Sequence, residues 1–376
     1  MEKQSELHPF FLIVSPGLEK LAYKELIEKC SLFFNLTPSE IDVKKGGIEF
    51  KSPLAKGCNL NHLLKIPTRI LYRIDSSIVR DLPKLFSKLS KIKWSNYLTT
   101  KHIEIKSSSF QSRLFDSRKI ESTALDAIKE YFKHSPLKKK YAEGDKTQSI
   151  YIKFENDLMT ISLDLSGDRL DQRGVKLFSA IAPIRESLAA ACFYQLIGDK
   201  KNVSLIDPMV GTGTFLLEAY NFYHPNYKRT FSYEHFSLFL QEVKEKKLQP
   251  PPRKIKKLYG FDINEKTLDA TEKNFVSVKN KTLVSLKRAD IFKDHYDVAK
   301  GSFVIINPPY NKRIRTSSPP HLYYLDLIQN IQTKLDPKGM GMVIPQAHYL
   351  KIKKQMEVTS ETIFKNGGIE VVFVTL

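Results

Sequence analysis

Four short apolar runs, at residues 203–206, 257–261, 283–286 and 303–306, predict buried strands. They are nearly uncharged and rich in branched side chains, which suits a pleated, covered surface. Residues 10–14 form another strand-like run. Pro16-Gly17 then turns into a helical-period stretch with Leu18, Leu21, Ala22, Leu26 and Ile27 on one face. Val43-Lys44-Lys45-Gly46-Gly47-Ile48-Glu49-Phe50 reads as a Gly-Gly hairpin. Together these pieces predict a small α+β unit over residues 8–55. From Asn59 the order is a helix, the alternating strand Ile70-Tyr72-Ile74, and a helix led by Asp81-Leu82-Pro83. Trp94 falls on a loop. Residues 102–106 predict a strand, 117–131 a helix, and 150–152 with 159–165 a closing pair of strands.

The residues that follow the later strands carry the chemistry. Run 303–306 ends in Asn307-Pro308-Pro309-Tyr310. Neither proline has an N–H to give, so strand and helix both stop there. The result is a rigid corner at a strand's carboxyl end, where open α/β sheets place their ligands. The Asn307 amide oxygen and the Pro308 carbonyl can accept the two hydrogens of one NH2 group, and Tyr310 offers a π-face to a flat ring. Run 203–206 ends in Asp207-Pro208-Met209-Val210-Gly211-Thr212-Gly213-Thr214-Phe215. Gly211 and Gly213 allow a tight turn and close backbone approach, and a helix from Thr214 offers free N–H groups to an anion. Asp262 ends the next run and suits ribose hydroxyls. Asp290, in Arg288-Ala289-Asp290-Ile291, is a third acid at a strand end. Each acid alone is as well read as a loop or helix cap; the ordered set is what carries weight.

Composition adds a partner. Hydrophobic residues make up 41% of the chain and the net charge is +19, enough to build cores and to favour a polyanion. Between Lys56 and Lys106, eleven Lys/Arg stand against Asp75, Asp81 and Glu104, with Tyr72, Phe86, Trp94 and Tyr97 interleaved. Lys133-His134 with Lys138-Lys139-Lys140 forms a second cluster, and Arg253-Lys254-Ile255-Lys256-Lys257 a third. Beside a corner suited to an exocyclic amine, three such clusters favour nucleic acid over a merely solvated surface. No apolar run approaches the length of a membrane span, and residues 10–14 are too short for a signal peptide. Cys30, Cys58 and Cys192 are scattered and suggest reduced thiols in the cytoplasm, with no zinc site. His321 and His348 tempt as bases, but a lone histidine is usually structural.

These residues resemble a known family. Phe11-Leu12-Ile13-Val14-Ser15-Pro16-Gly17-Leu18-Glu19 resembles the ferredoxin-like start of THUMP-containing RNA methyltransferases. Arg69-Ile70-Leu71-Tyr72-Arg73, Lys93-Trp94 and Ser166-Gly167-Asp168 are similar to the THUMP module. Arg173-Gly174-Val175-Lys176, Ala182-Pro183-Ile184-Arg185-Glu186-Ser187-Leu188-Ala189-Ala190 and Lys365-Asn366-Gly367-Gly368-Ile369-Glu370-Val371 match the junction, first helix and final hairpin of the methyltransferase domain. The resemblance covers nearly the whole chain, and is strongest to the guanine-N2 methyltransferases of large-subunit ribosomal RNA. It implies an α/β and α+β chain: a ferredoxin-like subdomain over residues 1–58, a THUMP domain over 59–166, a junction over 167–180, and a Rossmann-like S-adenosylmethionine-dependent domain over 181–376.

The same resemblance implies roles. Asn307, Pro308 and Tyr310 would hold the reacting base. Pro183, Asp207, Met209, Gly211, Thr212, Gly213, Asp262, Ile263, Asp290 and Ile291 would bind the cofactor, with Asp207 toward the methionine amine, Asp262 toward the ribose and Asp290 toward the adenine amine. Arg69, Arg73, Lys91, Lys93, Lys138 and Lys139 would contact RNA. No metal is implied, and the sequence assigns no oligomeric state. The alternatives are guanine-N2 methylation of tRNA, adenine-N6 methylation of nucleic acid, protein-glutamine methylation, and an inactive RNA-binding assembly factor. Two departures stand out. Asp207 and Asp262 are 55 positions apart, where a simple dinucleotide-binding unit uses about 20, so residues from Tyr220 to about Lys257 read as an insertion near the site. Asn311 stands where the family often has glycine, a residue type that tolerates left-handed backbone better than most.

Overall fold

The computed structural model describes residues 6–100, 102–134, 147–174, 176, 178, 184–236, 247–251, 255–276, 281–298, 300–310 and 319–376. They build two seven-stranded sheets, one in each half of the chain.

The first sheet orders its strands β2 (Ser39–Lys44), β3 (Gly47–Pro53), β1 (Leu7–Ile13), β4 (Arg69–Ile78), β7 (Leu158–Asp164), β6 (Gln148–Glu155) and β5 (Ile103–Phe110). β1 pairs with β3 on one side and β4 on the other, so the sheet runs unbroken past residue 58. Only β5 and β6 run parallel, which requires the crossover helix α4 (Ser117–His134) between them. The other helices of this half are α1 (Glu19–Phe34), α2 (Leu54–Leu63) and α3 (Leu82–Leu89). α3 starts where Asp81 accepts a hydrogen bond from the Lys84 amide at 2.7 Å, with Pro83 in its first turn.

This half corrects one feature of the sequence reading. Trp94 is fully buried, its indole N–H donating to the Leu89 carbonyl at 2.8 Å, and Tyr72 is buried too. Tyr97 and Phe86 pack against the same core. The aromatics interleaved with the lysines therefore belong to the core or pack against it, while Lys84, Lys88, Lys91 and Lys93 between them reach solvent.

The second sheet orders β10 (Val284–Arg288), β9 (Ile255–Asp262), β8 (Val203–Asp207), β11 (Phe303–Ile306), β12 (Gly339–Pro345), β14 (Ile369–Thr375) and β13 (Ser360–Asn366). The first five are parallel and the last two form an antiparallel hairpin. Chain order reverses between β8 and β11, and such a switch point opens a crevice at the strands' carboxyl ends. Helices α5 (Glu186–Ile197), α6 (Thr214–Asn221), α7 (Glu265–Asn274), α8 (Pro320–Leu335) and α9 (Gln346–Ile352) are the described α-helices of this half.

Buried polar contacts join the halves. Glu25 of α1 accepts from Lys29 at 2.6 Å and from the amides of Lys65 and Ile66. Arg173 lies between, donating to the Lys65 carbonyl at 2.7 Å and to both carboxylate oxygens of Glu218 on α6. The described part of the expected insertion belongs to this joint. His62 lies between the Asn226 carbonyl and the Tyr233 hydroxyl, and the Tyr233 amide donates to the Leu165 carbonyl at 3.0 Å. Residues 222–236 thus pack on the first half and do not line the crevice, while 237–246 and 252–254 of the expected insertion lie outside the described residues.

Candidate active site

The crevice over the switch point is a cavity of about 1120 Å³. Three consecutive parallel strands bring their terminal acids to its floor. Asp207 ends β8, Asp262 ends the adjacent β9, and Asp290 lies two residues beyond β10. On the other side of β8, β11 delivers Asn307.

The loop between β8 and α6 is held by hydrogen bonds to its neighbours. The Val210 amide donates to the Phe261 carbonyl at 2.8 Å, and the Gly211 amide to Asp262 Oδ2 at 3.1 Å. Gly211 has φ of 53° with nothing within 4 Å of the place a Cβ would take. Gly211 itself lines the cavity. Gly213, at φ 81°, is confined instead: a Cβ there would sit 2.8 Å from Thr271 and 3.0 Å from Phe275. The first glycine leaves room for a ligand, and the second lets α6 pack closely against α7.

The acids differ in environment. Asp207 is buried and, among the described residues, accepts from the Met209 amide alone, at 3.1 Å. Burial pushes its carboxyl well above the usual range, and the charge of Asp262 adds to this. Asp262 also accepts from the Asn264 amide at 2.9 Å, ahead of α7. Asp290 is partly exposed and accepts from the Phe292 amide at 2.9 Å.

At Asn307-Pro308-Pro309-Tyr310 the Tyr310 hydroxyl donates to Asn307 Oδ1. Burial raises the Tyr310 phenol far above its ordinary value, so it stays protonated. Tyr324 donates to the Pro309 carbonyl at 3.4 Å, and the amide of Asn366 donates to the Tyr310 hydroxyl at 3.4 Å. Asn366, Gly367, Gly368 and Ile369 of the β13–β14 hairpin form the wall opposite the acids.

Of the residues expected to bind cofactor or base, Asn307, Pro308, Tyr310, Asp207, Met209, Gly211, Thr212, Asp262, Ile263, Asp290 and Ile291 all line this one cavity. Gly213 does not line it. Pro183 and Asn311 lie outside the described residues. The sequence reading passed over Phe292, Tyr323, Arg185 and Asn366, which also line it. The first three carry no local signature, and Asn366 reads as an ordinary turn residue before two glycines.

The residues expected at an RNA surface divide. Arg69 donates to Asp164 and to the Gly167 carbonyl, and Arg73 to Glu49 at 3.2 Å and Ser162 at 2.9 Å. Both guanidinium groups are mostly buried and already ion-paired across the sheet, so neither is a free cation for phosphate. Lys91 and Lys93 are exposed, as are Lys84 and Lys88 of α3, and no ion pair engages these four among the described residues. Lys138, Lys139 and Lys140 lie outside the described residues, as do Arg253 and Lys254.

A family model described as RMKL-like, methyltransferase domain, matches residues 173–371, more than half of the chain. The chain belongs to this family. The match takes in six strands of the second sheet, the start of β14 and every described residue that lines the cavity. A ribosomal RNA large subunit methyltransferase K/L of Buchnera aphidicola (subspecies Schizaphis graminum) is 27% identical over 94% of this chain and 52% of its own length. Its namesake in Colwellia psychrerythraea is 26% identical over 81% of this chain and 44% of its own. This methyltransferase-domain chain thus spans about half the length of the curated relatives it matches. Among solved structures, one described as a possible methylase from Clostridium difficile 630 superposes with a TM-score of 0.78 at 24% identity, covering 98% of both chains. SMU.472, a methyltransferase solved in complex with SAH, does so with a TM-score of 0.78 at 20% identity, covering 99% of this chain and 98% of its own. At these identities the likeness shows the fold. Among the described residues no group of side chains is arranged to hold a metal ion, and no helix is long and apolar enough to cross a membrane.

Proposed function

We propose that this methyltransferase domain uses S-adenosylmethionine to methylate the exocyclic N2 amine of a guanosine in large-subunit ribosomal RNA. The observation that carries the reading is the meeting, in one cavity, of three strand-end acids with an uncharged amide acceptor on a two-proline corner. The names of the matched curated relatives supply the substrate class.

The residues present fit such a cofactor. Open space beside Gly211 admits a ligand against the loop backbone, and Asp207 suits an ammonium because it is buried with no cationic partner among the described residues. Asp262 suits ribose hydroxyls, and Asp290 an adenine amine. Exposed Ile263, with Ile291 and Phe292, suits the faces of a flat ring. Bound there, the cofactor supplies an electrophilic sulfonium methyl.

The remaining work falls to the chain's own groups, and positioning dominates it. An aryl amine is a weak nucleophile because its lone pair spreads into the ring. Asn307 Oδ1 and the Pro308 carbonyl accept its two hydrogens and turn the lone pair toward the methyl donor. The incoming amine takes the place on Asn307 Oδ1 that the Tyr310 hydroxyl holds. The Tyr310 ring then stacks on a base withdrawn from its helix or loop. No side-chain base is needed, since the proton can leave after transfer.

The first half, whose sequence resembles the THUMP module, serves as the RNA-docking part of a cytoplasmic enzyme. Lys84, Lys88, Lys91 and Lys93 are among its exposed cations.

Labelled methyl transfer to protein-free large-subunit ribosomal RNA, followed by nucleoside mass spectrometry, tests the reading. The expected product is N2-methylguanosine. N6-methyladenosine, or transfer to tRNA alone, would overturn it.

A further inference from the structure

Asn307 and Tyr310 can hold an aryl amine and a flat ring, but they do not distinguish guanine from other amino-purines. The residue for that task sits on the opposite wall. Asn366 ends β13, is 7% exposed, and its side-chain amide donates to the Tyr310 hydroxyl at 3.4 Å. That hydroxyl donates in turn to Asn307 Oδ1. The Asn366 amide therefore stands two hydrogen bonds from the oxygen that would hold the reacting amine. Its own Oδ1 has no donor among the described residues. The position is fixed from both sides. The Asn366 backbone pairs with Ile369, and Arg185, just before α5, donates to the Lys365 carbonyl at 3.2 Å. Gly367 and Gly368 follow, with nothing within 4 Å of where their Cβ atoms would lie, so the wall beside the amide is open.

An amide offers one donor and one acceptor side by side. Guanine presents the complement beside its N2 amine: N1–H as donor and O6 as acceptor. Adenine offers only an acceptor, N1, beside its amine. We infer that Asn366 is the specificity-determining residue of this site, accepting from guanine N1–H and donating to O6. The inference rests on the guanine-N2 reading above.

The test uses the full chain and a synthetic RNA hairpin spanning the nucleotide that the wild-type enzyme methylates in ribosomal RNA. The hairpin carries at that nucleotide either guanosine or 2-aminopurine riboside, which keeps the N2 amine but lacks O6 and N1–H. Wild type should prefer guanosine. Asn366→Ala should cut kcat/KM on guanosine by about 10-fold or more, the worth of one to two hydrogen bonds, while leaving the 2-aminopurine rate unchanged. Asn366→Asp, of the same shape, should also depress guanosine selectively, because a carboxylate repels O6. Calorimetric S-adenosylmethionine affinity should stay at the wild-type value in both variants, which would show them folded. If the variants lose activity on both hairpins equally, Asn366 is structural and the inference is overturned. If wild type forms no N2-methylguanosine at all, the reading of the reaction fails first and takes this inference with it.

Discussion

The hydroxyl of Tyr310 donates its proton to the side-chain oxygen of Asn307, so the free protein caps with its own phenol the acceptor that would hold the substrate amine. An incoming NH2 group exchanges one hydrogen bond for another at that oxygen. The Asn307 oxygen is not left bare in the resting state, and exchange lowers the cost of filling the site.

This exchange makes the ring and the hydroxyl separable. Tyr310→Phe keeps the stacking face, removes the cap, and should hold kcat/KM within a few-fold of wild type. Tyr310→Ala removes the platform. Stacking one base on an aromatic ring contributes about 1–3 kcal/mol, so the expected loss is about 5- to 150-fold. Single-turnover methyl transfer measures both. Equal losses in the two variants would assign the effect to the hydroxyl and defeat the stacking role.

Much of the site was legible because its determinants are local. A glycine that must leave its backbone open, two prolines that must end a strand, and acids at strand ends are readable from neighbours in the chain. What was misread depended on partners far away in sequence. Arg73 is an exposed-looking cation until β4 pairs with β7 and places Ser162 against it, with Glu49 on the other side. Trp94, among lysines, looks like a base-stacking ring until α3 and α4 fold over it. Asn366 looks like a turn residue until the hairpin lies across the crevice from Asp207.

The corrected placement of the cations is testable. Replacing Lys84, Lys88, Lys91 and Lys93 by serine should weaken RNA binding. The slope of log K against log salt should shrink by up to about 3.6, at about 0.7–0.9 per lost phosphate contact. Arg73→Gln should leave that slope unchanged and lower thermal stability, because its partners lie inside the protein. A reduced slope for Arg73→Gln would return it to the RNA surface.

Arg173 joins the halves from a fully buried position, so its value is structural. Removing one partner of a buried ion pair costs about 3–5 kcal/mol because the other charge is left bare. Arg173→Met should therefore lower the melting temperature sharply, and so should Glu218→Leu. The double variant should recover a large share of the loss. Additive losses in calorimetric melts would show that the pair is not coupled.

Gly211 carries a separate prediction for the loop. At φ of 53° a β-branched side chain is strained, and the residue lines the cavity. Gly211→Val should abolish S-adenosylmethionine binding in calorimetry while circular dichroism shows the chain still folded. Unchanged affinity in a folded variant would remove this loop from the cofactor site.

Asp207 ties the cofactor to pH. Burial raises its carboxyl well above the ordinary range, with the Asp262 charge in the same direction, so the folded, ligand-free protein holds a proton that the unfolded chain releases. Its contribution to stability is therefore fully present below the ordinary carboxylate pKa. It is lost as pH rises through the elevated folded value. A ligand ammonium needs the ionised carboxylate, so cofactor affinity should rise with pH over that same upper window while ligand-free stability falls. Asp207→Asn imitates the protonated form at every pH. It should melt higher than wild type in the ligand-free state at pH 8, and its pH dependence in that window should flatten. Cofactor affinity should fall by about 10- to 150-fold, the worth of one hydrogen bond to a charged group at about 1.5–3 kcal/mol. Calorimetric titrations at pH 6, 7 and 8 on both proteins decide the matter. If the asparagine variant binds as tightly as wild type at pH 8, Asp207 does not face the amine.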